Sequence, residues 1–352
     1  MNLHNQFLDE WFVSYNQVDN DFRAFPFNYN YPVKYNELSN KLTAWVHPFV
    51  NNGSMLADNG FLTDHGPEHI KTVIKRATQL IVEMLPKERL TPYEVYILLM
   101  AIQVHDVGNI ISRNGHEDNS APIVEKLIDP LTPWDRIEWL AIFDIARSHG
   151  GEDKDKISKL PEKNPIHGFE VRSQLLAAIL KFADELAEDS SRAARYLLDH
   201  QQLPELSVIF HEYALSLHSV LIKAKDRVIS MHFTINEDLL HITFKKEIKF
   251  GPTKEKRIID QHLIDEIYLR TLKTHYERLY CMRFLRPYIN IDKIVVSINV
   301  NLNDIRKKFP EQNYLLIETG INDIHMDQIF EICPELKEWT GVAYSEKLKP
   351  VQ

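Results

Sequence analysis

One helix-length segment constrains the fold more than any other part of this sequence. Residues 91–106 read TPYEVYILLMAIQVHD, and apolar side chains occupy nearly every face of the helix that this segment would form. A helix that is apolar all round has to be surrounded by other elements. The segment therefore predicts a central, buried helix that ends in an adjacent histidine and carboxylic acid, His105 and Asp106.

The segments around this helix have the apolar spacing of further helices. Between residue 63 and about residue 200, apolar side chains recur three and four positions apart, and loops with Gly or Pro separate the segments. Two similar segments lie in the first 60 residues, which are rich in Asn and aromatic side chains. We therefore predict a mainly α protein, in which a helical N-terminal extension (1–60) packs on an all-helical bundle domain (61–204).

The pattern changes after residue 204. The runs RVISMHFTI and LLHITFKKEI show partial alternation of apolar and polar residues, and Asn236–Asp238 joins them, which predicts a β-hairpin or a meander. A long helix over 257–289 and two more strands, KIVVSINVNL and NYLLIETG, are predicted to follow. We expect a smaller α+β domain over 205–352 with an antiparallel or mixed sheet, whose strands offer an interface for a homo-oligomer.

Residues 268–288 of the predicted helix at 257–289 carry six basic side chains and four tyrosines. We interpret it as a surface helix with ordinary ion pairs between successive turns. The alternative is a basic pocket for a nucleotide or an effector. The basic residues are Arg270, Lys273, His275, Arg278, Arg283 and Arg286.

Composition limits the class of protein. Hydrophobic residues make up 44% and charged residues 26% of 352 residues, which is ordinary for a globular chain. No basic start followed by an apolar core is present, and no apolar run approaches the roughly 18 residues of a membrane span, so we expect no signal peptide and no membrane partner. Cys281 and Cys333 are too few for a disulfide framework, which indicates a reducing compartment, and we expect the cytoplasm. They have no metal-site spacing, and we expect both to be buried thiols. The net charge of −9 gives no overall attraction for nucleic acid or phosphate.

Histidines and acids cluster in the predicted bundle. Five of the 16 histidines fall between residues 65 and 149, each near a small or acidic residue. A second apolar helix, LLAAILKFADEL, ends in Asp184 much as the first ends in Asp106. Any one of these residues alone is typical of a helix cap or a satisfied core group. Two buried carboxylates need compensating positive charge, however, and a metal ion with imidazole ligands would supply it.

The order H…HD…H…H…D resembles the HD-domain superfamily of metal-dependent phosphohydrolases. HIKTV at 69–73, HDVGN at 105–109, GHEDNSAPIV at 115–124 and LLAAILKFADELAEDSSR at 175–192 carry the resemblance, which covers roughly residues 60–200. It implies an HD-type fold and one or two divalent transition-metal ions (Mn, Fe, Co, Ni or Zn, with Mg as a further candidate). The implied ligands of one ion are His69, His105, Asp106 and Asp184. In binuclear relatives, residues like His116 and His149 bind a second ion, and the acid like Asp106 bridges the two.

The resemblance also implies a catalytic mechanism, in which a metal-activated hydroxide attacks phosphorus. The ligands of two ions would leave an excess positive charge that attracts phosphate despite the acidic chain. Asp106, His116, His149 and Lys181 are the expected catalytic residues. Arg147, Ser191 and Arg192 are expected at the substrate phosphate, because Ser191 follows Asp184 by seven residues on one predicted helix. His65 has no place in the family pattern.

Three hypotheses for the function follow. The first is a phosphohydrolase acting on a nucleotide or nucleotide-derived small molecule, either a deoxynucleoside triphosphate or a cyclic or linear oligonucleotide, as a phosphodiesterase would. The motifs are similar to those of HD proteins in bacterial antiviral defence. The second is a nuclease that binds single-stranded nucleic acid, which requires a basic groove with aromatic side chains. The third is a non-catalytic module that senses a nucleotide.

Overall fold

The computed structural model describes residues 6–18, 22–50, 63, 65–112, 115–126, 133–151, 153, 155–250, 255–303, 311–318 and 326–347. Contacts between Cα atoms divide the chain into two compact units, each built from separate stretches of sequence. The first unit contains residues 1–58, 65–187 and 280–290, and the second contains 59–64, 188–279 and 291–352. The domain boundaries predicted at 60 and 204 stay predictions, because contact density does not test independent folding.

The first unit is a helical bundle with one small hairpin. The hairpin strands, β1 (Asn164–Ile166) and β2 (Phe169–Val171), pair antiparallel. The helices are α1 (Leu8–Val18), α2 (Tyr31–Trp45), α3 (Pro67–Ile81), α4 (Pro92–Val104), α5 (His116–Glu125), α6 (Pro133–Arg147) and α7 (Ser173–Glu185). The prediction of a mainly α protein with a smaller α+β region towards the C-terminus is confirmed.

Helix α4 is the centre of this bundle, as its all-apolar sequence predicts. Every side chain from Tyr93 to Val104 is buried, and α1, α2, α3, α6 and α7 all pack against the helix. A capping box defines its start: Thr91 Oγ1 accepts a hydrogen bond from the Glu94 N–H, and the Glu94 carboxylate accepts one from the Thr91 N–H. The buried helix thereby satisfies its first backbone donors without water.

The N-terminal helix α2 is tied to the bundle by one buried carboxylate. Glu138 on α6 is 1% exposed. It accepts hydrogen bonds from the hydroxyls of Tyr31 (2.7 Å) and Tyr93 (2.8 Å) and forms an ion pair with Lys34. A carboxylate with three donors has its burial compensated, so the polar contact joins α2, α4 and α6.

The single helix predicted to carry both Asp184 and Ser191 is interrupted in the structure. Helix α7 ends at Glu185, a short 3₁₀ turn occupies Ser190–Arg192, and α8 (Arg195–Asp199) follows. The Asp189 side chain accepts hydrogen bonds from the Ser191 backbone and hydroxyl, a local bond that competes with a continuing helix. Ser191 therefore does not share a helix face with Asp184, and the geometric argument that linked the two residues is wrong.

The second unit contains a four-stranded mixed sheet, a two-stranded ribbon and further helices. The mixed sheet has the order β3 (Leu217–Lys223), β4 (Val228–Asn236), β7 (Lys293–Asn301) and β8 (Gln312–Leu316). Strands β4 and β7 are parallel, whereas the other two pairs are antiparallel. The ribbon is formed by β5 (Phe244–Phe250) and β6 (Glu255–Gln261), and helix α9 (Glu205–Ser216) precedes the sheet.

The structure corrects two predictions in this region. The runs RVISMHFTI and LLHITFKKEI form strands but do not pair with each other: β4 lies between β3 and β7, and β5 pairs with β6. Residues 257–261, predicted as the start of a helix, form the end of β6. Alternation indicates a strand but does not identify its partner, and β4 finds its second partner about 65 residues later, at β7.

The long helix α10 (Leu263–Leu285) is not the surface helix that its basic residues suggested. His275 and Arg278 are 0% exposed, and Arg278 donates to the Ile291 carbonyl at 2.7 Å. Arg270 pairs with Glu266 one turn earlier. The interpretation of this helix as a solvent-exposed surface helix is therefore wrong for its middle part. Two short helices, α11 (Met326–Ile332) and α12 (Gly341–Lys347), complete the described chain.

Two further sequence expectations concern the cysteines and the membrane. Cys281 and Cys333 are both buried and unoxidised, so the prediction of two buried thiols is confirmed. Among the described helices, none combines the length and the apolar character that crossing a bilayer requires.

Candidate metal centre

The centre is built around the C-terminal end of helix α4. The helix ends at Val104, and His105 follows as its C-cap residue. Its ring Nδ1 lies 2.8 Å from the Ile102 carbonyl, which can only accept, so Nδ1 carries a proton and Nε2 points away from the helix. Nε2 lies 3.3 Å from the nearer oxygen of Asp106. The backbone of the helix end therefore aims the His105 ring at the adjacent acid.

Gly108 allows a second element to approach the same corner. Its backbone N–H donates to Ser120 Oγ on α5 at 3.1 Å. A Cβ atom at this position would lie 1.8 Å from the His116 carbonyl oxygen, which no side chain allows. The glycine thus permits the first turn of α5 to pack against the corner, and His116 lies beside Asp106 as a result.

Four side chains from three parts of the bundle form the first ligand set: His69, His105, Asp106 and Asp184. His69 Nε2 lies 3.1 Å from Asp184 Oδ1 and 3.4 Å from His105 Nε2. Asp106 Oδ2 lies 3.6 Å from His69 Nε2. Ligands about 2.1 Å from one ion are roughly 3 to 3.5 Å apart, so these separations are those of a shared cation.

Two histidines and the other oxygen of Asp106 form the second ligand set: His116, His149 and Asp106. Asp106 Oδ1 lies 3.2 Å from His116 Nε2 and 3.6 Å from His149 Nε2. The two Nε2 atoms lie 3.1 Å apart. His149 Nδ1 donates to the Ala146 carbonyl at 2.6 Å, as His105 does to Ile102. Each oxygen of Asp106 thus faces a different ligand set.

The electrostatics of the two acids follow from their surroundings. Burial raises the pKa of Asp106, but the charges of His105 and His65 outweigh it and hold that pKa well below its ordinary value. Burial likewise raises the pKa of Asp184, and hydrogen bonds with His105 and His69 lower it well below the ordinary range. Both carboxylates are therefore ionised at neutral pH, although Asp106 follows the apolar helix α4 and Asp184 lies in the last turn of the apolar helix α7.

The histidines divide into two electrostatic types. Burial lowers the pKa of His105, yet the two carboxylates raise it well above its ordinary value. For His149, burial dominates and lowers the pKa, and the nearby charges of His105 and His116 lower it further. Without a metal, the centre therefore compensates its acids with an imidazolium at His105.

The donor set fits a divalent transition-metal ion. The four histidines of the two sets all present Nε2 to the centre, and Nε2 lone pairs that face each other need a proton or a cation between them. Three overlapping groups have ligand atoms within 4.8 Å of one another: His65, His69 and Asp106; His69, His105 and Asp184; His105, Asp106 and His149. Imidazole nitrogen and carboxylate oxygen together suit Mn, Fe, Co, Ni and Zn.

Sequence reasoning left the role of one residue of the centre, His65, open. His65 Nδ1 lies 2.8 Å from Asp106 Oδ2, and His65 is 8% exposed. His65 precedes the N-cap residue Gly66, so it lies outside helix α3, and helical spacing from His69 could not identify it. Its ring packs edge-on against His69, with the two centroids 5.5 Å apart.

The other predicted site residues lie in different surroundings. Lys181 donates to the His149 carbonyl at 2.8 Å and so holds the segment that carries this histidine. Arg147 lies 3.5 Å from Asp144 and 3.9 Å from Asp118, with 41% of its side chain exposed. Ser191 and Arg192 belong to the second unit, where Ser191 bonds to Asp189 and Arg192 pairs with Glu188. A phosphate contact of any of these residues stays a prediction.

A further polar contact borders His116. Glu117 Oε2 lies 3.3 Å from His116 Nδ1, and Glu117 Oε1 lies 3.3 Å from Lys156 Nζ. Burial raises the pKa of Glu117, but its own backbone N–H and the Lys156 charge lower it. The sequence carries no signal for Lys156, because only the fold brings it beside α5.

A helical bundle in which a His-Asp pair at one helix end meets three histidines and an acid from other elements defines a domain of the HD type. The sequence model of the HD-CE family matches residues 60–268, and the chain belongs to this family. No curated protein and no solved structure matches the sequence significantly. The family and the buried cluster together indicate a metal-dependent hydrolase, with the metal unidentified.

Proposed function

We propose that this protein is a divalent-metal-dependent phosphohydrolase that cleaves a phosphoester or phosphoanhydride bond of a nucleotide or nucleotide-derived molecule. The observation that carries the proposal is the position of Asp106, whose two oxygens face two different sets of histidines. A carboxylate in this position is suited to bridge two ions. Bound there, two divalent ions would supply a water of lowered pKa and positive charge for the phosphate oxygens.

The residues of the chain have distinct tasks in this proposal. His69, His105 and Asp184 would hold one ion, His116 and His149 would hold the other, and Asp106 would contribute an oxygen to each. The backbone carbonyls of Ile102 and Ala146 fix the rings of His105 and His149 before a metal binds. The six ligands contribute two negative charges, so two ions leave a local excess of two positive charges. This excess would attract a phosphate to a chain whose net charge is −9.

The nucleotide as substrate rests on the resemblance to HD phosphohydrolases. Within that class, the structure favours a small nucleotide over a long single strand. The strand hypothesis depended on a basic helix at 257–289, and His275 and Arg278 of that helix are buried. A sensor without catalysis is the weaker alternative, because the side chains of both ligand sets converge. The role in antiviral defence and the homo-oligomer stay predictions.

The test is a turnover screen combined with elemental analysis. The wild-type protein is assayed with Mn²⁺ against deoxynucleoside triphosphates, ribonucleoside triphosphates, cyclic oligonucleotides and single strands. Asp106→Ala should remove both metal equivalents and lower turnover by more than about 100-fold, the upper range for outer-shell changes. Asp184→Asn should remove one equivalent, because Asp184 faces only the first ligand set.

A matched control is Asp260→Asn, which neutralises an exposed acid paired with Lys245 in the second unit. It should leave the metal content and turnover unchanged. Turnover that survives Asp106→Ala would exclude the proposed site. Wild-type protein that binds one metal per chain at saturation would exclude the second ligand set but not the first.

A further inference from the structure

His65 is the one side chain at the centre that the family pattern leaves without a role. It is buried, and its Nδ1 lies 2.8 Å from Asp106 Oδ2. A carboxylate oxygen in a hydrogen bond of this length accepts, so Nδ1 of His65 donates the proton. His65 therefore differs from the four histidines of the ligand sets, which present Nε2 to the centre.

The helix start explains how this contact arises. Gly66 is the N-cap residue of α3, and Pro67 occupies its first turn. Proline is pre-organised for the first helical position, so it marks where α3 begins, and His65 lies directly before the N-cap residue. His69 lies in the same turn and contacts Asp184 and His105. The start of α3 therefore places His69 in the first ligand set and His65 within hydrogen-bond distance of Asp106.

Asp106 is the residue whose orientation matters most, since its two oxygens have different tasks. Rotation about the bond to its carboxylate would turn both oxygens away from their histidines. Each carboxylate oxygen has two lone pairs. Oδ2 can therefore accept from His65 with one lone pair while the other faces His69 and His105.

We propose that His65 is a positioning residue that holds the Asp106 carboxylate in the plane in which Oδ2 faces the first ligand set and Oδ1 faces the second. The inference rests on the proposed function, because it concerns the same centre. It assigns His65 to the support of a ligand and not to direct metal binding. The two roles make different predictions for a side chain that can donate at the same place but binds metal poorly.

Asparagine is that side chain. Its amide nitrogen can occupy the position of the histidine Nδ1 and donate to Asp106, whereas an amide is a poor ligand for transition metals. Alanine removes the donor altogether. We therefore compare His65→Asn and His65→Ala in the full-length protein, with Mn²⁺ affinity measured by calorimetry and the visible absorption spectrum measured after Co²⁺ loading.

The positioning role predicts a graded result. His65→Ala should weaken Mn²⁺ binding by about 10- to 100-fold, the usual effect of losing an outer-shell partner. His65→Asn should bind within a few-fold of the wild type and retain its Co²⁺ spectrum. Equal loss in both variants, with one metal equivalent missing, would instead make His65 a direct ligand and overturn the inference. Unchanged affinity in His65→Ala would overturn it as well.

Two controls separate this inference from folding defects and from the proposed function. His47 is another buried histidine of the first unit, and its Nε2 contacts the Gln103 carbonyl at 2.9 Å. His47→Gln should lower the melting temperature without changing Mn²⁺ affinity more than about twofold, because the contact of His47 Nε2 is with a backbone carbonyl and not with a ligand side chain. If the wild-type protein binds neither Mn²⁺ nor Co²⁺, the proposed function is wrong. If the wild type binds metal and both His65 variants bind it equally well, only the inference about His65 is wrong.

Discussion

The central physical question in this protein is why the buried Asp106 side chain is ionised. It ends the most apolar helix of the chain and is 4% exposed, which would normally favour a neutral acid. Five histidines, His65 and the four of the ligand sets, each have a ring nitrogen within 3.6 Å of one of its two oxygens, and they reverse that tendency. An ionised carboxylate between imidazoles is a stable arrangement only if protons or metal ions neutralise it. The same contacts therefore determine the stability and the metal binding of the centre.

This arrangement predicts that the metal-free protein loses stability above neutral pH. The pKa of His105 is raised in the folded protein, so its contribution is complete below the unfolded value of about 6.5 and is lost as pH rises towards the folded pKa. Between pH 7.5 and 8.5 the free energy of unfolding should fall by at most about 1.4 kcal/mol per pH unit.

The measurement is urea unfolding at both pH values, with EDTA and with Co²⁺. The metal should abolish the decrease, because it replaces the proton on His105. The pKa of His149 is lowered, so this histidine titrates below pH 7.5. Burial raises the pKa of Glu212 to about 7, so most of the titration of this acid also lies below pH 7.5. A free energy that does not change with pH in EDTA would show that His105 is neutral in the folded protein.

At the scale of elements, short connections place the ligands. Gly108 allows α5 to approach the end of α4, and the segment after α6 carries His149, Gly150 and Gly151. A Cβ on Gly150 would lie 3.6 Å from the His116 ring, an ordinary contact. Gly151 is more demanding, since its φ is +96° and a Cβ there would lie 2.1 Å from Glu117 Oε1. The second glycine thus leaves room for the Glu117–Lys156 pair beside His116.

Gly151→Ala should therefore disturb the second ligand set. The new methyl group would displace Glu117 and Lys156, and Glu117 borders His116 Nδ1. We expect about 10-fold weaker binding of one metal equivalent, the lower range for an outer-shell change, and an unchanged first equivalent. Calorimetric titration with Mn²⁺ measures both.

Gly168→Ala is the matched control. Gly168 also has a positive φ, +85°, but a Cβ there would meet nothing within 4 Å. Both variants should lose about 1 to 3 kcal/mol of stability from the backbone strain. Only Gly151→Ala should change metal binding, and equal metal binding in the two variants would show that the Glu117–Lys156 pair has no role at His116.

At the scale of the whole molecule, the helical unit is discontinuous in sequence. Residues 280–290, from the end of α10 and the turn after it, belong with the helical bundle. The Tyr280 hydroxyl accepts from the Ile157 N–H at 3.1 Å, and Arg283 pairs with Asp155 at 3.0 Å. The guanidinium of Arg172 lies 5.0 Å from the centroid of the Tyr288 ring. The bundle is thus completed by a segment from far along the chain.

A fragment of residues 1–204 should for this reason be less stable than the full chain. It retains both ligand sets but lacks the contacts of Tyr280, Arg283 and Tyr288 with the bundle. We expect a lower melting temperature and weaker metal binding, measured by calorimetry on both proteins. A fragment that melts and binds Mn²⁺ like the full chain would show that the bundle folds independently of residues 280–290.

Features of the fold could be predicted from local sequence where the pattern that indicates them lies within one segment or a short series of motifs. The apolar run of 92–104 predicted the central helix, and the order of His69, His105, Asp106, His116, His149 and Asp184 indicated a shared centre that the structure brings together. The pairing of β4 with β7 and the burial of α10 were not predictable in this way. Both depend on segments distant in sequence, and neither alternation nor basic spacing identifies a distant partner.

The sequence by itself determined the mainly α class, the buried helix α4 and the residue types that gather at its end, because periodicity and composition are local properties. Only the tertiary structure decided that His65 contacts Asp106, that Ser191 leaves the helix of Asp184 and that residues 280–290 complete the bundle. These features are contacts between side chains or segments whose separation in space follows from packing, and packing depends on the whole chain at once.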